Sequence, residues 1–578
     1  MADWYDDFSR RRFLKASAAA GSAALTAAAP RPLYAQASAA SDGTYDYVVA
    51  GGGHNALVCA AYLARAGYSV IVLEANSEIG GNTATEKLTG PDFLHEPCAN
   101  QPGGLLGSPA YHELELEKYG VVIAPPSDPA TSISFTDGES LTMWLDPEQT
   151  AEEIARFSTR DARAYRRLLE ETSTFAGEYG TYDDTPIGYG PSLEEICAAR
   201  PDGASWMRRI RQPMLDTVDE YFTEPHVRAW ALWWGSLSRM PVDDQGAGLN
   251  VHALMVGRQY NSWVTMIGGC GELAQGLARL LAEHDCPVLT KKFVVELLVE
   301  GGRCVGVGTA DGDVYRARKG VVSSVHVQQL SQMAPEGSLP ENFVSNLEQW
   351  KPCVQAMYCR HYAMKEPPLF NVNGNWQPVV AGGLIATVED RIRHNSAIRE
   401  RRIYEGVAMQ LVITATLADP SRAPAGQHTV KLITLQPYDL ADSGAARWDE
   451  IKHELAERHL EEMRPFIRNL GDDNIIGTHI GSPLDIAGRN INNVGGTCHG
   501  GAESHAQMGP MRPVFGWASH RMPIEGLYQT GAGTHPGGSV TGASGRNAAW
   551  VILDDLGTTV EEVLAKRGVT PGRSIAFS

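Results

Sequence analysis

A glycine-rich turn near the start of the chain has the residue types that bind nucleotide phosphates. The stretch GGGHNA places Gly51, Gly53 and Ala56 at the spacing G-x-G-x-x-G/A. A side chain at either of the first two positions would block the tight turn or the approach of a pyrophosphate, and the third needs a small residue for close packing of helix on strand. Free N–H groups at the start of the following helix attract phosphates. The turn therefore predicts a dinucleotide-binding site.

Two features further along the chain extend this site. Glu74 ends the next predicted strand, where its carboxylate can accept hydrogen bonds from ribose hydroxyls and its charge disfavours a 2′-phosphate. The stretch EIGG follows at once, and its pair Gly80 and Gly81 allows a second backbone segment to approach the pyrophosphate. Together these residues predict the nucleotide half of a cofactor site.

A second glycine-rich turn, GLYQTGAGTHPGGSVTGASGRNAAW, lies close to the C-terminus. It predicts a strand over 527–530 that delivers Gly531 and Gly533 to the cofactor, followed by a helix that opens at Gly542 and Gly545. A helix N-terminus stabilises the negative charge of a reduced flavin ring by about 0.3–2 kcal/mol. NAD needs no second clamp of this kind, and the sequence has no second complete fingerprint, so the two turns predict FAD as the cofactor.

Three histidines are candidates for proton transfer. His535 lies within the C-terminal turn, where it either contacts the flavin or the substrate or is a structural residue that holds the turn. His499 and His505 in TCHGGAESH are candidate acids or bases, and we expect the neighbouring Glu503 to be solvated. No Cys or His spacing supports zinc, so we predict no metal site. Hydride transfer to a flavin can also proceed with the protein only orienting the substrate.

The elements that position these residues define the fold class. A strand over 45–50, a helix over 57–66 and a strand over 69–73 form a β-α-β unit. We predict an α/β protein with a Rossmann-type, three-layer FAD-binding domain on a parallel sheet, and an inserted α+β substrate domain on a mixed sheet. The predicted FAD-binding domain comprises 44–110, 255–330 and 485–560, and the substrate domain comprises 111–254 and 331–484.

The predicted substrate domain has a helical part, over 146–239, that is rich in aromatic residues. The stretch YFTEPHVRAWALWWGSL, 221–237, either lines an apolar substrate site or forms a packed helical core. Two further strands, in VAMQLVITATLADP and HTVKLITLQPY, and an amphipathic helix in ARWDEIKHELAERHLEEM follow later in the chain.

The N-terminus and the composition indicate where the protein works. Paired arginines in SRRRFLK precede an alanine-rich stretch and the small residues of YAQA, so residues 1–37 are predicted to be a twin-arginine export signal. We therefore expect a periplasmic or secreted protein that uses the twin-arginine machinery.

The formal net charge of -19 disfavours nucleic acid as a partner. The nine cysteines are scattered without a CxxC pair, which argues against a disulfide scaffold or a redox disulfide. The oligomeric state is left open.

The chain resembles the phytoene desaturase and carotenoid isomerase branch of FAD oxidoreductases. It is most similar to the subgroup called pyridine nucleotide-disulphide oxidoreductase domain-containing protein 2. The resemblance covers about 45–557 and rests on GGGHNALVCAAYLARAG, ADPSRAPAG, MRPVFG and the C-terminal turn. By position it implies FAD contacts at Gly51, Gly53, His54, Asn55, Glu74, Gly80, Gly81, Val294, Gly533 and Val540. From the two turns themselves we also predict cofactor contacts at Ala56, Gly531, Gly538 and Gly542. The segment TEKLTGPDFLHEPCANQPGG departs from the family pattern and is predicted to border the substrate.

Three functions are compatible with these features. The first is an FAD-dependent oxidoreductase that takes hydride from an apolar or aromatic organic substrate, by desaturation or alcohol oxidation, and passes electrons to oxygen or a quinone. The second is a flavin amine oxidase, for which Lys291, Lys292 and Lys351 are candidate lysines over the flavin. The third is a flavoprotein that binds a partner without redox turnover.

Overall fold

The structure is a computed structural model that describes residues 43–238 and 240–574. The predicted export signal, residues 1–37, lies outside the described residues. Among the helices of the described ranges, none has both the length and the apolarity that a membrane crossing requires.

The strands are numbered in chain order: β1 (Thr44–Ala50), β2 (Val70–Leu73), β3 (Glu86–Lys87), β4 (Leu94–His95), β5 (Thr131–Phe135), β6 (Ser140–Met143), β7 (Val288–Leu289), β8 (Val294–Glu300), β9 (Arg303–Thr309), β10 (Val314–Ser323), β11 (Ala356–Met364), β12 (Phe370–Val372), β13 (Asn375–Gln377), β14 (Ala381–Ile385), β15 (Gln410–Ile413), β16 (His428–Gln436), β17 (Ile475–Gly481) and β18 (Leu527–Gln529).

The α-helices are numbered in the same way: α1 (His54–Arg65), α2 (Gly103–Gly107), α3 (Pro109–Glu113), α4 (Pro147–Ala155), α5 (Thr159–Asp183), α6 (Leu193–Ala198), α7 (Gly203–Arg211), α8 (Met214–Tyr221), α9 (Pro225–Ser236), α10 (Leu249–Asn261), α11 (Gly271–Glu283), α12 (Val327–Met333), α13 (Glu341–Leu347), α14 (Val388–Arg399), α15 (Trp448–Met463), α16 (Pro483–Arg489), α17 (Ala543–Asp555) and α18 (Val560–Ala565).

The first sheet has the order β7-β2-β1-β10-β9-β8, with β18 also paired to β10. Strands β7, β2, β1, β10 and β18 are parallel, whereas β8, β9 and β10 form an antiparallel meander. Helices α1, α11 and α17 cover one face, where Val49 and Val72 are buried. The meander with α12 and α13 covers the opposite face, where Val48 and Ile71 are buried. Because both faces of the strands are covered, their sequences are continuously apolar.

The second sheet has the order β17-β11-β16-β15-β14-β5-β6. Strands β5 and β14 are parallel and the other neighbours are antiparallel, so the sheet is mixed. The predicted fold class is therefore confirmed: a three-layer unit on a mainly parallel sheet with a second unit on a mixed sheet. The domain boundaries given above stay a prediction.

Helices α4, α5, α8, α9 and α10 share a core with the second sheet, and α6 and α7 pack against α5 and α10. Two of them begin with the side-chain caps that the sequence indicates, since Asp146 accepts a hydrogen bond from the Glu148 N–H and Ser158 from the Asp161 N–H. In α9, the side chains of Trp230, Trp233 and Trp234 are completely buried within the helix-and-sheet core. These aromatic residues form a packed core, as the second of the two interpretations has it, and are not among the residues that line the cavity described below.

A buried ionic cluster joins the two units. Arg422, from the ADPSRAPAG stretch, pairs with Glu96 at 3.1 Å and with Asp419 at 2.9 Å. The Cys270 N–H donates to Glu96 and the Gly268 N–H donates to Asp419, so the start of α11 is held by the same carboxylates. Each charge has an opposite partner and further hydrogen bonds, which is what a buried ion pair requires.

Candidate functional site

A cavity of about 350 Å³ has walls from both sheets. We define the nucleotide half as the wall formed by Gly53, His54, Asn55, Ala56, Gly80, Gly81, Gly531, Gly533, Gly538 and Val540. We define the substrate half as the wall formed by Met357, Arg391, His394, Met409, Leu411, Ile433 and Leu435. His499 and Glu503 also line the cavity.

The first glycine turn leaves room for a ligand backbone. Gly51 has φ +104°, and a Cβ atom there would overlap the Ser324 hydroxyl. At Gly53, by contrast, the described residues leave the space within 4 Å of a Cβ position open, and this residue lines the cavity. Gly53 is also the N-cap of α1 and supplies no side-chain cap. The N-terminus of α1 therefore offers the uncapped N–H groups and open space that a pyrophosphate needs.

Gly80 and Gly81 bring a second backbone segment against this turn. The Gly80 N–H donates to the Gly52 carbonyl at 2.9 Å, and a Cβ on Gly81 would lie 3.5 Å from the Gly53 Cα. Gly80 has φ +111° and Gly81 has φ +58°, a region that favours glycine. The glycine pair thus takes the position expected for a backbone clamp.

Glu74 is fixed beside the turn by main-chain donors. Its carboxylate accepts from the Gly52 N–H at 2.7 Å and from the Asn76 N–H at 2.8 Å. Burial raises the pKa of Glu74. The Lys292 N–H donates to the Glu74 carbonyl, which brings the segment before Val294 alongside it. Glu74 and Val294 lie beyond the cavity lining, as do Gly51 and Gly542, so their proposed contacts with the cofactor stay predictions.

The C-terminal turn reaches the same cavity from the other end of the chain. The Gly531 N–H donates to the Ser544 hydroxyl at 2.9 Å, and the nearest atom to a Cβ on Gly533 is the Gly500 carbonyl at 4.0 Å. Gly542, with φ +77°, is the N-cap of α17. A Cβ on Gly545 would overlap the Asn55 carbonyl, so this glycine allows α17 to cross α1 closely. The two turns thus form one continuous wall.

The two histidines proposed as catalytic have different environments in the structure. His535 does not line the cavity; its side chain is 1% exposed and its Nε2 donates to the Tyr182 carbonyl at 2.9 Å. Burial lowers the pKa of His535 to about 4, so the ring is neutral at pH 7. These contacts favour the structural alternative for His535.

His499 does line the cavity, and its partner corrects one expectation. The Nδ1 of His499 donates to the Glu503 carboxylate at 2.6 Å. The side chain of Glu503 is only 17% exposed, so the prediction of a solvated carboxylate is wrong. His505 is exposed and lies outside the lining. Among the described residues there is no group of three or more His, Cys, Asp or Glu side chains arranged to hold a metal ion.

The substrate half consists of residues that the sequence did not single out. Strands β11, β15 and β16 contribute Met357, Leu411, Ile433 and Leu435, and Met409 directly precedes β15. Helix α14 contributes Arg391 and His394, which are spaced i, i+3 and so share a face. The alternation of apolar residues in these strands was visible, but which face meets a cavity depends on the sheet pairing.

None of the nine cysteines, all of which lie in the described ranges, forms a disulfide. The candidate lysines Lys291, Lys292 and Lys351 lie outside the cavity lining. Lys292 instead pairs with Asp311 at 2.6 Å and Asp313 at 2.5 Å.

The two-sheet fold and its cavity define the class of FAD-dependent oxidoreductases, and the FAD contacts of the two glycine-rich turns stay predictions. The sequence matches the family described as flavin containing amine oxidoreductase over residues 57–553. The chain belongs to this family, and the predicted cofactor, FAD, and the predicted enzyme class are confirmed.

Named relatives cover nearly the whole chain. Pyridine nucleotide-disulfide oxidoreductase domain-containing protein 2 of Rattus norvegicus is 28% identical over 558 residues, which cover 89% of this chain and 94% of that protein. A limonene dehydrogenase component from Castellaniella defragrans is 27% identical and covers 90% of this chain and 98% of its own length. The lycopene-forming phytoene desaturase of a Paracoccus species is 24% identical over 88% of this chain and 97% of that protein. The expected resemblance is confirmed.

A solved structure shows the same fold. Cyclohexylamine oxidase from Brevibacterium oxydans superimposes with a TM-score of 0.54 at 17% identity and covers 89% of this chain and 99% of its own.

Proposed function

We propose that the protein is an exported FAD-dependent oxidoreductase that takes hydride from an apolar or aromatic organic substrate, either desaturating a C–C bond or oxidising an alcohol. One observation carries this proposal: the glycine-lined nucleotide half and the apolar substrate half are walls of a single cavity. An apolar molecule held by Met357, Leu411 and Leu435 is therefore kept next to the cofactor site. Burial of such a molecule contributes about 25 cal/mol for each Å² of apolar surface removed from water.

Bound FAD supplies the hydride acceptor, and the residues of the chain orient the substrate and handle the proton. His499 is the residue proposed to handle the proton, because it lines the cavity and its ring is held by Glu503. A carboxylate that accepts from Nδ1 leaves Nε2 as the proton acceptor and stabilises the protonated ring. For an alcohol substrate, Nε2 takes the hydroxyl proton as hydride leaves the carbon.

The relatives support an apolar substrate. Two of them are named for limonene and for phytoene. The proposed electron acceptor, which would reoxidise bound FAD, is oxygen or a quinone. Export through the twin-arginine machinery and a periplasmic or secreted location are likewise part of the proposal. The arginine-containing N-terminal segment supports export.

Flavin amine oxidase is the second candidate, and the fold of the solved neighbour favours it. The cavity argues against it, because Arg258 and Arg391 both line the wall and repel an ammonium group. In the part of the chain that the structure describes, no lysine side chain lines the cavity. The third candidate, a partner-binding flavoprotein without turnover, predicts a flavin that dithionite reduces and that no organic substrate reduces.

Anaerobic bleaching of the purified protein tests the three candidates. Loss of flavin absorbance on addition of apolar alcohols or alkenes supports the proposal. Bleaching by amines with release of hydrogen peroxide in air supports the amine oxidase. If only dithionite bleaches the flavin, the proposed reaction is wrong.

A further inference from the structure

Three buried arginines that lie outside the cavity provide a comparison for Arg391, which lines it. Arg422 pairs with Glu96 and Asp419, and Arg546 pairs with Glu113 at 2.7 Å. Arg512 donates to main-chain carbonyls, among them those of Ala532 and His499. Each of these three side chains has partners that are fixed by the fold, and each lies outside the cavity lining. Arg391 has a different environment.

Arg391 is a buried cation that faces the cavity with neutral partners only. It is 2% exposed and lines the substrate half. Its Nε donates to the Ser236 hydroxyl at 2.9 Å, its Nη2 to Gln355 Oε1 at 3.3 Å and its Nη1 to His394 Nδ1 at 3.3 Å. Among the described residues, no carboxylate forms an ion pair with Arg391. The partners orient the guanidinium group without neutralising it.

The groups around Arg391 do not neutralise the charge of its guanidinium group. The Nε2 of His394 donates to the Leu435 carbonyl at 2.9 Å, so Nδ1 is the acceptor and the ring is neutral. Burial lowers the pKa of His394 to about 3. The acid whose charge acts on Arg391 is Asp243, and its carboxylate binds Arg399 at 2.6 Å. The C-terminus of α9, at Ser236, offers only a partial negative charge.

A buried charge without a counter-ion costs several kcal/mol, and a neutral side chain in its place would avoid that cost. Burial lowers the pKa of Arg391 to about 10, which leaves the side chain protonated at pH 7. A guanidinium group binds a carboxylate through two parallel hydrogen bonds, and it does so most strongly where water is excluded. The substrate half also presents the apolar side chains of Met357, Met409 and Leu411.

We propose that the substrate half binds an organic acid, with Arg391 holding the carboxylate and the apolar wall holding the hydrocarbon chain or ring. This inference rests on the proposed function, because it names the substrate class of the same cavity. Arg391 sets specificity and orients the hydrocarbon toward the nucleotide half. It takes no part in proton or hydride transfer.

A second arginine makes this assignment testable. Arg258, on α10, also lines the cavity and is 7% exposed; its guanidinium lies over the Trp263 ring at 5.4 Å, and its Nε has no hydrogen-bond partner among the described residues. If Arg258 holds the anion, Arg258→Met loses acid binding and Arg391→Met keeps it. That pattern would overturn the proposal.

The experiment measures binding to the FAD-loaded protein through the perturbation of the flavin spectrum. The probes are decanoate with decanamide and 4-phenylbutyrate with 4-phenylbutanamide, each pair having the same hydrocarbon and differing in charge. The wild type should bind each acid about tenfold or more tightly than its amide, since hydrogen bonds to a charged group are the stronger ones. Equal affinity for acid and amide would overturn the proposal without any variant.

The variants assign the effect to Arg391. Arg391→Met should lose about tenfold or more in acid affinity with less than about a twofold change for the amides, and Arg391→Lys should recover part of the acid affinity. Arg393→Met is the matched control, since its side chain lies on the same helix, is 65% exposed and pairs with Asp390. Equal losses for acid and amide, or loss of FAD from Arg391→Met and Arg391→Lys alike, would contradict the inference.

The binding and bleaching experiments together distinguish an error in the proposed reaction from an error in the proposed anion site. If acids bind preferentially through Arg391 but no acid or neutral compound bleaches the flavin, the proposed reaction is wrong and the anion site stands. If neutral alcohols or alkenes bleach the flavin and acids bind no better than amides, the reaction stands and the anion site is wrong.

Discussion

The two halves of the cavity recognise their ligands by different means. The nucleotide half presents glycines, main-chain N–H groups and the uncapped start of α1. The substrate half presents long side chains, methionines and leucines around one buried arginine. In a wall made of glycines and main-chain groups, an added side chain occupies the space of the ligand. In a wall made of side chains, each substitution alters which ligand fits. We therefore expect the cofactor to constrain the residues of the first half and the residues of the second half to determine the substrate.

The contrast predicts that a single added side chain removes the cofactor from the nucleotide half. In Gly533→Leu, the new side chain extends into the open cavity, because the nearest atom to a Cβ is 4.0 Å away. We expect at least about a tenfold fall in FAD per protein after purification, measured from the flavin and protein absorbances. Gly488→Leu, at a helical glycine with open space around it, should keep its flavin. A Gly533→Leu protein with full flavin content would remove this turn from the site.

The next effect concerns His499, which lines the same cavity. His499→Gln should lower the rate of flavin reduction by an alcohol substrate about 100-fold, because the proton acceptor is lost, and should leave FAD bound. Stopped-flow bleaching measures this rate. His505→Gln, at an exposed histidine outside the cavity lining, is the control. An unchanged rate in His499→Gln would show that the protein only orients the substrate.

A smaller effect is expected at the edge of the nucleotide half. In Glu74→Gln the amide nitrogen would face a main-chain N–H, so one of the hydrogen bonds at 2.7 and 2.8 Å is lost along with the charge. FAD affinity of the apoprotein should fall about tenfold. The exposed Glu78→Gln on the following loop should bind FAD normally. Equal affinities would mean that Glu74 supports the turn without contacting the ribose.

The smallest effect concerns the pH dependence of stability and involves a residue outside both halves of the cavity. His252 is completely buried, its Nδ1 contacts the Thr172 hydroxyl, and burial lowers its pKa to about 3 from the usual 6.5. Below pH 6.5 the unfolded chain binds a proton that the folded chain excludes, so the free energy of unfolding falls by about 1.4 kcal/mol for each pH unit. His252→Gln should reduce the fall in Tm between pH 7 and pH 5 by roughly 2 °C. The exposed His453→Gln should match the wild type.

The elements next to the glycines were predictable because their signals are local. The predicted β-α-β unit is β1, α1 and β2, although α1 begins at His54, earlier than expected, since Gly53 serves as the N-cap. The strand and helix of the C-terminal turn are β18 and α17. Spacing within a few residues was enough for these elements.

The substrate half was not predictable because it depends on contacts between distant segments. The parallel pairing of β5 with β14 joins residues that no local pattern connects. The α14 stretch EDRIRHNSAIRERR has the composition of a solvated helix, yet Arg391 and His394 are buried. Likewise, the location of His535 in a cofactor motif does not indicate that its ring points to Tyr182.

The joining of Gly53 and Gly533 in one wall has a consequence for synthesis. Strand β18 and helix α17 follow the other described elements of this wall in the chain, so the wall is incomplete until both have been translated. A nascent chain that stops before β18 therefore carries only the first of the two glycine-rich turns.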